Sequence, residues 1–317
     1  MSTVLLTGGT GFLGSHIAEA LVADGHELRC TVRATSDTRW IDHLGVDLLP
    51  LDLGRADAET SAALAGVDTV IHCGALTRAR SEAEFMAVNA EGTGRVARAA
   101  ADAGVRRFIL ISSLAARGPD GAPGPISPYG RSKAAGERHL AEATGDMETV
   151  VIRPGGVYGP RDSDLLPLFE TANKGWIVVP RSTAPVQPVY VTDVMSAVLA
   201  ALVCDPPDAP LPVAGEDLLD WSGVATALSA AVGVTGRVVR IPPALFWTLG
   251  LVSEIGAVLT KAAPAMDRRR AQDMSVHSWT CRIDETKAAL PGWSPQVSAA
   301  DGLAKTAEWY RDIGWLR

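Results

Sequence analysis

The chain has 317 residues, 47% of them hydrophobic, with 36 acidic against 29 basic side chains and a net charge of -7. The apolar content suffices for a large core and excludes intrinsic disorder, while the acidic balance leaves no basic excess for neutralising the phosphates of nucleic acid or a membrane surface. The four cysteines, Cys30, Cys73, Cys204 and Cys281, are far apart and match no CxxC or Cys/His ligand spacing, so a reduced, metal-free cytoplasmic protein is expected. The opening MSTVLLTGG has no charged n-region, and no secretory leader is expected.

TVLLT predicts a first strand, FLGSHIAEALVADG a helix closed by Gly25, and ELRCTV a second strand. Between the first strand and the helix lies TGGTGFLGS, with Gly8, Gly11 and Gly14 spaced so that backbone amides and the helix start can approach a pyrophosphate; Phe12 and Leu13 complete the turn. The end of the second strand discriminates between dinucleotides, because an acidic residue there holds ribose hydroxyls and an arginine accommodates a 2′-phosphate. Arg33 stands at that place, followed by Thr35, Ser36 and Arg39, which favours NADP without repelling NAD. A third strand in VDLLPLDL ends at Asp52, placed either to accept from an adenine amino group or to cap a turn.

TVIHCGA, RFILISS and METVVIRP read as further strands, separated by helices over about residues 84–104 and from about Tyr129. Strands joined by crossover helices imply an α/β fold with a doubly wound, parallel Rossmann-type sheet. After Gly159 the rhythm weakens and prolines gather, so residues 1–159 are expected to bind the dinucleotide. Residues 160–317 are expected to form a smaller substrate-binding region with a few returns to the sheet. Residues 241–259 form an apolar run interrupted by Glu254 and begun by Pro242 and Pro243, which reads as a lid or buried helix rather than a span and leaves peripheral membrane contact open.

In SPYGRSK, Tyr129 and Lys133 are four apart and share a helix face. An ammonium near a phenol favours the phenolate, and a lysine's compact donors reach both phenol and a cofactor ribose. Ser112 and Ser113 end a strand at the sheet edge where ligands bind, so Ser113 can stabilise a substrate oxygen as charge develops. His16 and His72 read as packing or hydrogen-bonding residues, and Asp267 to Arg270 as a solvated helix face. Arg78 and Arg80 are candidate substrate contacts, and Tyr158 and Trp279 candidate pocket residues.

With these motifs, and with LDL, VNAEGT, RPGGVYGP, PVYVTDV and LPGWSP, nearly the whole chain resembles the extended short-chain dehydrogenase/reductase family, also called the NAD-dependent epimerase/dehydratase family. The resemblance implies catalytic roles for Ser113, Tyr129 and Lys133, and cofactor contacts from Gly8, Gly11, Phe12, Leu13, Gly14, Arg33, Asp52, Leu53 and Lys133. It places Gly74, Ala75, Asn89 and Pro154 on the cofactor side, and it implies a homodimer. Nucleotide-sugar branches commonly carry an arginine, aligned near PVYVTDV, that holds the sugar-nucleotide diphosphate; this chain has Val186, Gln187 and Pro188 there, although Arg161 in GPRD argues the other way. The apolar run with Phe246 and Trp247 resembles the substrate-side helix of 3β-hydroxysteroid dehydrogenase-like and dihydroflavonol-reductase-like members. The expected function is therefore NADP- or NAD-dependent interconversion of a secondary alcohol and a ketone on a small, largely apolar substrate. A nucleotide-sugar epimerase or dehydratase is the alternative, and a non-catalytic dinucleotide sensor or assembly protein the second.

Overall fold

The first five predicted strands, with short apolar runs and little polar interruption, suit a sheet covered on both faces. A computed structural model describes residues 2–54, 58–143, 145–242, 244, 245, 248 and 277–317. Strand β1 (Thr3–Thr7) leads into helix α1 (Phe12–Ala23), followed by β2 (Glu27–Val32), β3 (Asp47–Pro50), α2 (Ala58–Ala63) and β4 (Thr69–His72). Helices α3 (Glu82–Phe85) and α4 (Gly92–Asp102) precede β5 (Arg107–Ile111), α5 (Pro128–Ala143), β6 (Glu148–Pro154) and β7 (Gly156–Tyr158). Then come α6 (Leu166–Asn173), β8 (Trp176–Pro180), β9 (Pro188–Tyr190), α7 (Val191–Ala200), β10 (Leu211–Val213), α8 (Trp221–Val232), β11 (Arg237–Ile241), α9 (Asp284–Ala289) and α10 (Ala299–Asp312).

Seven of these strands form one parallel sheet in the order β10-β6-β5-β4-β1-β2-β3. Alternation divides its side chains between two layers. Leu6 and Ile109 join Ile17 and Leu21 of α1 and Val194 and Val198 of α7 on one face. Leu5, Phe108 and Leu110 join Val96 and Ala100 of α4 and Leu140 of α5 on the other. Both β4 and β5 are buried throughout, whereas β3 lies at the sheet edge and leaves Leu48 41% exposed. The chain winds from β1 outward to β3 and then crosses to β4, so the carboxyl ends of β1 and β4 flank the switch point where open α/β sheets bind ligands.

A third core lies away from the main sheet, where Phe169, Ile177, Val191, Leu228, Leu303 and Tyr310 pack together beside the two-stranded pair β8 and β11. Tyr158, expected as a pocket residue, belongs to this core: it is 3% exposed and packs edge-to-face on Tyr190 at 5.6 Å. Its ring packs within this core, with Gly302 of α10 against its hydroxyl end.

The helix expected over residues 84–104 is interrupted. Met86–Glu91 form a π-helical turn between α3 and α4, and the reason is Asn89. Its amide pairs with both backbone groups of Leu76, accepting at 2.7 Å and donating at 2.9 Å, which holds the widened turn against the loop after β4. The expected lid over residues 241–259 falls, after Ile241, almost wholly outside the described residues, as does the cluster from Asp267 to Arg270. Among the described residues no helix is long and apolar enough to cross a membrane.

Candidate active site

The glycine turn is folded so tightly that side chains have no room. Gly8 has φ +73°, and a Cβ there would lie 2.7 Å from backbone atoms of Gly74; one on Gly14 would lie 2.0 Å from the Gly8 carbonyl oxygen. Gly11 caps α1 with no side-chain hydrogen bond, which leaves the first helical amides facing a backbone-lined concavity. That cradle fits a pyrophosphate. Phe12 and Leu13 open α1 behind it, Phe12 edge-on to His16 at 6.0 Å and Leu13 against two of the cores.

Arg33 follows the last residue of β2 on an exposed loop, its amide donating to the Ser36 hydroxyl at 2.9 Å. Its guanidinium makes no hydrogen bond or ion pair among the described residues, unlike that of Arg39, which is paired with Asp37. The Asp52 carboxylate accepts from the Gly54 amide at 2.9 Å, the turn-capping geometry. Leu53 packs beside Gly74, and Pro154 ends β6 against Val213 of β10.

A continuous run of hydrogen bonds joins this turn to α5. The Gly74 amide donates to Thr7 Oγ1 at 3.0 Å, and Thr7 meets His72 Nδ1 at 2.9 Å. His72 Nε2 meets Thr93 Oγ1 at 3.1 Å, and Thr93 donates to the Asn89 carbonyl at 2.7 Å. Because the Thr93 proton is already committed, His72 Nε2 must be the donor and Nδ1 the acceptor, so the imidazole is neutral. Burial, helped by the nearby Lys133 charge, depresses its pKa to about 3. Asn89 then donates to Ser132 at 3.0 Å, and Ser132 donates to the Tyr129 carbonyl at 2.7 Å.

Ser113 follows the end of β5, and the start of α5, which carries Tyr129 and Lys133, packs against that end. Ser113 caps a short 3-10 turn, Leu114–Ala116, its Oγ accepting from the Ala115 amide at 3.1 Å, which leaves its proton available. Ser112 is instead buried and committed to Glu137, itself paired with Arg153. A Cβ on Gly130 would lie 2.3 Å from the Ala115 carbonyl oxygen, so the start of α5 is pressed onto the Ser113 turn, beside Tyr129. Tyr129 is half-buried, its ring 5.9 Å from Phe85. Lys133 is buried and donates from Nζ to the Ile111 carbonyl at 2.6 Å. Burial lowers its pKa to about 8 against the opposing influence of Cys73 and Glu137, while burial lifts the Cys73 thiol to about 11.

Other arginines near the site have acidic partners, although Arg78 Nε and Arg161 Nε and Nη1 make no hydrogen bond among the described residues. Arg78 pairs with Asp164, Arg80 with Glu84 at 3.8 Å, and Arg117 with Asp120 at 2.8 Å. Arg161, 12% exposed, adopts φ +71° and is held at α1 by Glu19 and by the Trp40 ring at 5.2 Å. Gln187 is buried, its amide donating to the Gly215 carbonyl at 2.8 Å and accepting from the Cys281 amide at 2.9 Å. Trp279 forms a β-bridge to Val186. Thr7, Thr93 and Ser132 were not predicted from the sequence: besides the local bonds of Thr93 to Asn89 and of Ser132 to Tyr129, each depends on a partner distant in the chain.

The sequence model of the NAD dependent epimerase/dehydratase family matches residues 4–209. The chain is 32% identical over 317 residues to a ceramide reductase of Caulobacter vibrioides, covering 99% of this chain and 96% of that protein. It is 34% identical over 176 residues to a 4-hydroxy-2-methyl-3-oxo-4-farnesyl-3,4-dihydroquinoline-1-oxide ketoreductase of Stigmatella aurantiaca, about half of each chain (51% and 52%). In fold it is similar to the UDP-glucose 4-epimerase of Thermotoga maritima, with a TM-score of 0.80 at 22% identity over 98% of this chain and 99% of that one.

Proposed function

The chain belongs to the NAD-dependent epimerase/dehydratase family, and within it we propose an NADP-preferring reductase that converts a ketone on a largely apolar, lipid-like substrate to a secondary alcohol. The observation that carries the choice is Gln187. At the position where nucleotide-sugar branches hold a diphosphate with arginine, this chain has a buried amide committed to Gly215 and Cys281. A diphosphate buried there would lack a paired cation, which is costly. The engagement of Arg78, Arg117 and Arg161 with acidic partners supports the same choice. So does the likeness, over nearly all of the chain, to a ceramide reductase.

In this reading residues 1–159 hold the cofactor and residues 160–317 build the substrate side, with Arg33 as the partner of the 2′-phosphate. The bound nicotinamide supplies the hydride. Tyr129 donates its phenolic proton to the ketone oxygen, and Ser113 donates a hydrogen bond to that oxygen as negative charge develops. Lys133 keeps its ammonium beside the phenol, stabilising the phenolate left behind until solvent returns the proton. Its bond to Ile111 fixes that ammonium to the end of the strand that leads into Ser113.

The test is consumption of NADPH by the purified protein with long-chain and steroid ketones, beside UDP-glucose as the competing substrate. Turnover of an apolar ketone with no epimerisation is expected. Tightly retained NAD together with conversion of UDP-glucose to UDP-galactose, without net cofactor oxidation, would overturn the proposal.

A further inference from the structure

The turn that leaves Ser113 continues into residues 117–120, and these are stitched to a segment some 160 residues later in the chain. Asp120 is the centre of the stitch. Its Oδ2 accepts from the Ser278 hydroxyl at 2.5 Å, from the Thr280 amide at 3.2 Å and from the Thr280 hydroxyl at 2.7 Å. Its own amide donates to the Ser278 carbonyl at 3.0 Å. Arg117 donates both to Asp120 Oδ1 and to the Thr280 carbonyl, each at 2.8 Å. Burial opposes the Asp120 charge, but the hydrogen bonds from Ser278 and Thr280 and the Arg117 guanidinium outweigh it and hold the carboxyl below its usual range.

On the other side the same segment is tied to the residues just before β9, where a nucleotide-sugar enzyme would carry a substrate-binding arginine, through the Trp279 bridge to Val186 and the Cys281 bond to Gln187. Residues 278–281 therefore span from the Ser113 turn to the Val186–Gln187 segment. Side chains alternate along an extended segment, so with Ser278 and Thr280 turned to Asp120, Trp279 is turned away from it.

We infer that Asp120 is a positioning residue for substrate specificity: its carboxylate fixes residues 278–280, and with them Trp279, as one wall of the substrate cleft beside Ser113. The wall matters for a long apolar substrate that extends past the reacting carbon and little for a short one. This rests on the ketone-reductase reading.

The test compares the full-length wild type with Asp120→Ala and Asp120→Asn, using NADPH with tridecan-2-one and butan-2-one, NADP titration, and amide hydrogen exchange at residues 278–281. Asp120→Ala is expected to raise KM for tridecan-2-one about tenfold with kcat nearly unchanged, a loss of binding rather than of chemistry. Butan-2-one kinetics and NADP affinity should hold within about twofold, and exchange at Thr280 should accelerate. Asp120→Asn keeps an oxygen for Thr280 and should recover most of the KM. An equal loss with both ketones, a parallel loss of NADP affinity, or unchanged exchange at Thr280 overturns the assignment. A wild type that reduces neither ketone refutes the functional reading instead. The staple is then decided by exchange alone, upheld if it accelerates at 278–281 with NADP affinity intact and overturned if it does not.

Discussion

The floor of the cleft and the rim formed by the loop after β2 are built on opposite principles. On the floor, Thr7, His72, Thr93, Asn89 and Ser132 are all buried and each is spent on a named partner. On the rim, Arg33 stands on an exposed loop with its guanidinium unpaired among the described residues. A buried network fixes geometry because any missing partner leaves a desolvated polar group. An exposed cation fixes little until a ligand arrives. The floor is thus suited to chemistry that tolerates no displacement, and the rim to a choice of cofactor that can change without disturbing the fold.

The sharpest test of the floor is Tyr129→Phe. A positioned general acid contributes about 10²- to 10⁴-fold, so kcat is expected to fall by about a thousandfold, while NADP affinity holds because the ring and its packing on Phe85 survive. Stopped-flow turnover of an apolar ketone and a fluorescence titration of NADP read the two separately. Turnover near the wild-type rate would mean that the proton reaches the ketone oxygen by another route.

What could be read from the sequence follows the same division by range. The strands around β1, β4 and β5 were legible because a parallel strand buried on both faces needs a short continuous apolar run, and the glycine turn because the spacing of Gly8, Gly11 and Gly14 is local, although the approach of Gly74 to Gly8 is not. Tyr129 and Lys133 were legible because a helix repeats locally. The π-helical turn was not, since it depends on Asn89 reaching Leu76 across a loop. Nor were the full commitment of Gln187, whose partners lie 28 and 94 residues away, and the burial of Tyr158, which depends on α10 packing over it. A residue type states what bonds it can form, and the fold alone decides which.

His72 tests whether the floor is held by its hydrogen bonds. His72→Leu removes the acceptor for Thr7 and the donor to Thr93, and a buried group left unpaired costs about 1–3 kcal/mol, to be measured by denaturant unfolding at pH 7. The pH dependence carries the sign. The unfolded histidine takes up a proton near its ordinary value of 6.5, whereas the folded one resists until about 3, so between those values the unfolded state holds more protons. The stability His72 contributes is therefore complete above about pH 6.5 and is lost as pH falls toward 3, at up to about 1.4 kcal/mol per pH unit. The wild type minus variant difference should shrink as pH is lowered from 6.5 to 4. A difference independent of pH would show that the ring is held by packing alone.

Lys133, buried at the end of β5, gives a smaller effect on the alkaline side. With its pKa lowered to about 8, the ammonium is mostly present at pH 7 and is lost as pH rises through 8. NADP affinity should weaken several-fold between pH 7 and 9 in the wild type, because the charge offered to the ribose and phenol disappears. In Lys133→Arg, which stays charged, affinity should be weaker at pH 7 and nearly flat over the same range. Isothermal titration in buffers of matched ionic strength decides it, and an identical alkaline fall in the variant would assign that step to another group.

The rim should yield the smallest structural consequence and a specific functional one. Arg33→Asp removes a cation that no neighbour among the described residues uses, so unfolding free energy is expected to change by no more than about 0.5 kcal/mol. Its effect should appear only with cofactor present. A charge-assisted bond to a 2′-phosphate is worth roughly 1.5–3 kcal/mol, which corresponds to an NADP dissociation constant raised about 10- to 100-fold. An aspartate at the end of the second strand also accepts from ribose hydroxyls, so NAD should bind as well as before or better. Arg39 is poorly placed to compensate, since Asp37 already neutralises it. Titrating both dinucleotides against wild type and variant, beside a denaturation curve of each, separates the rim from the floor in one experiment. If the wild type binds NAD at least as tightly as NADP, Arg33 has no phosphate to meet, and the open rim is a solvated loop rather than a selector.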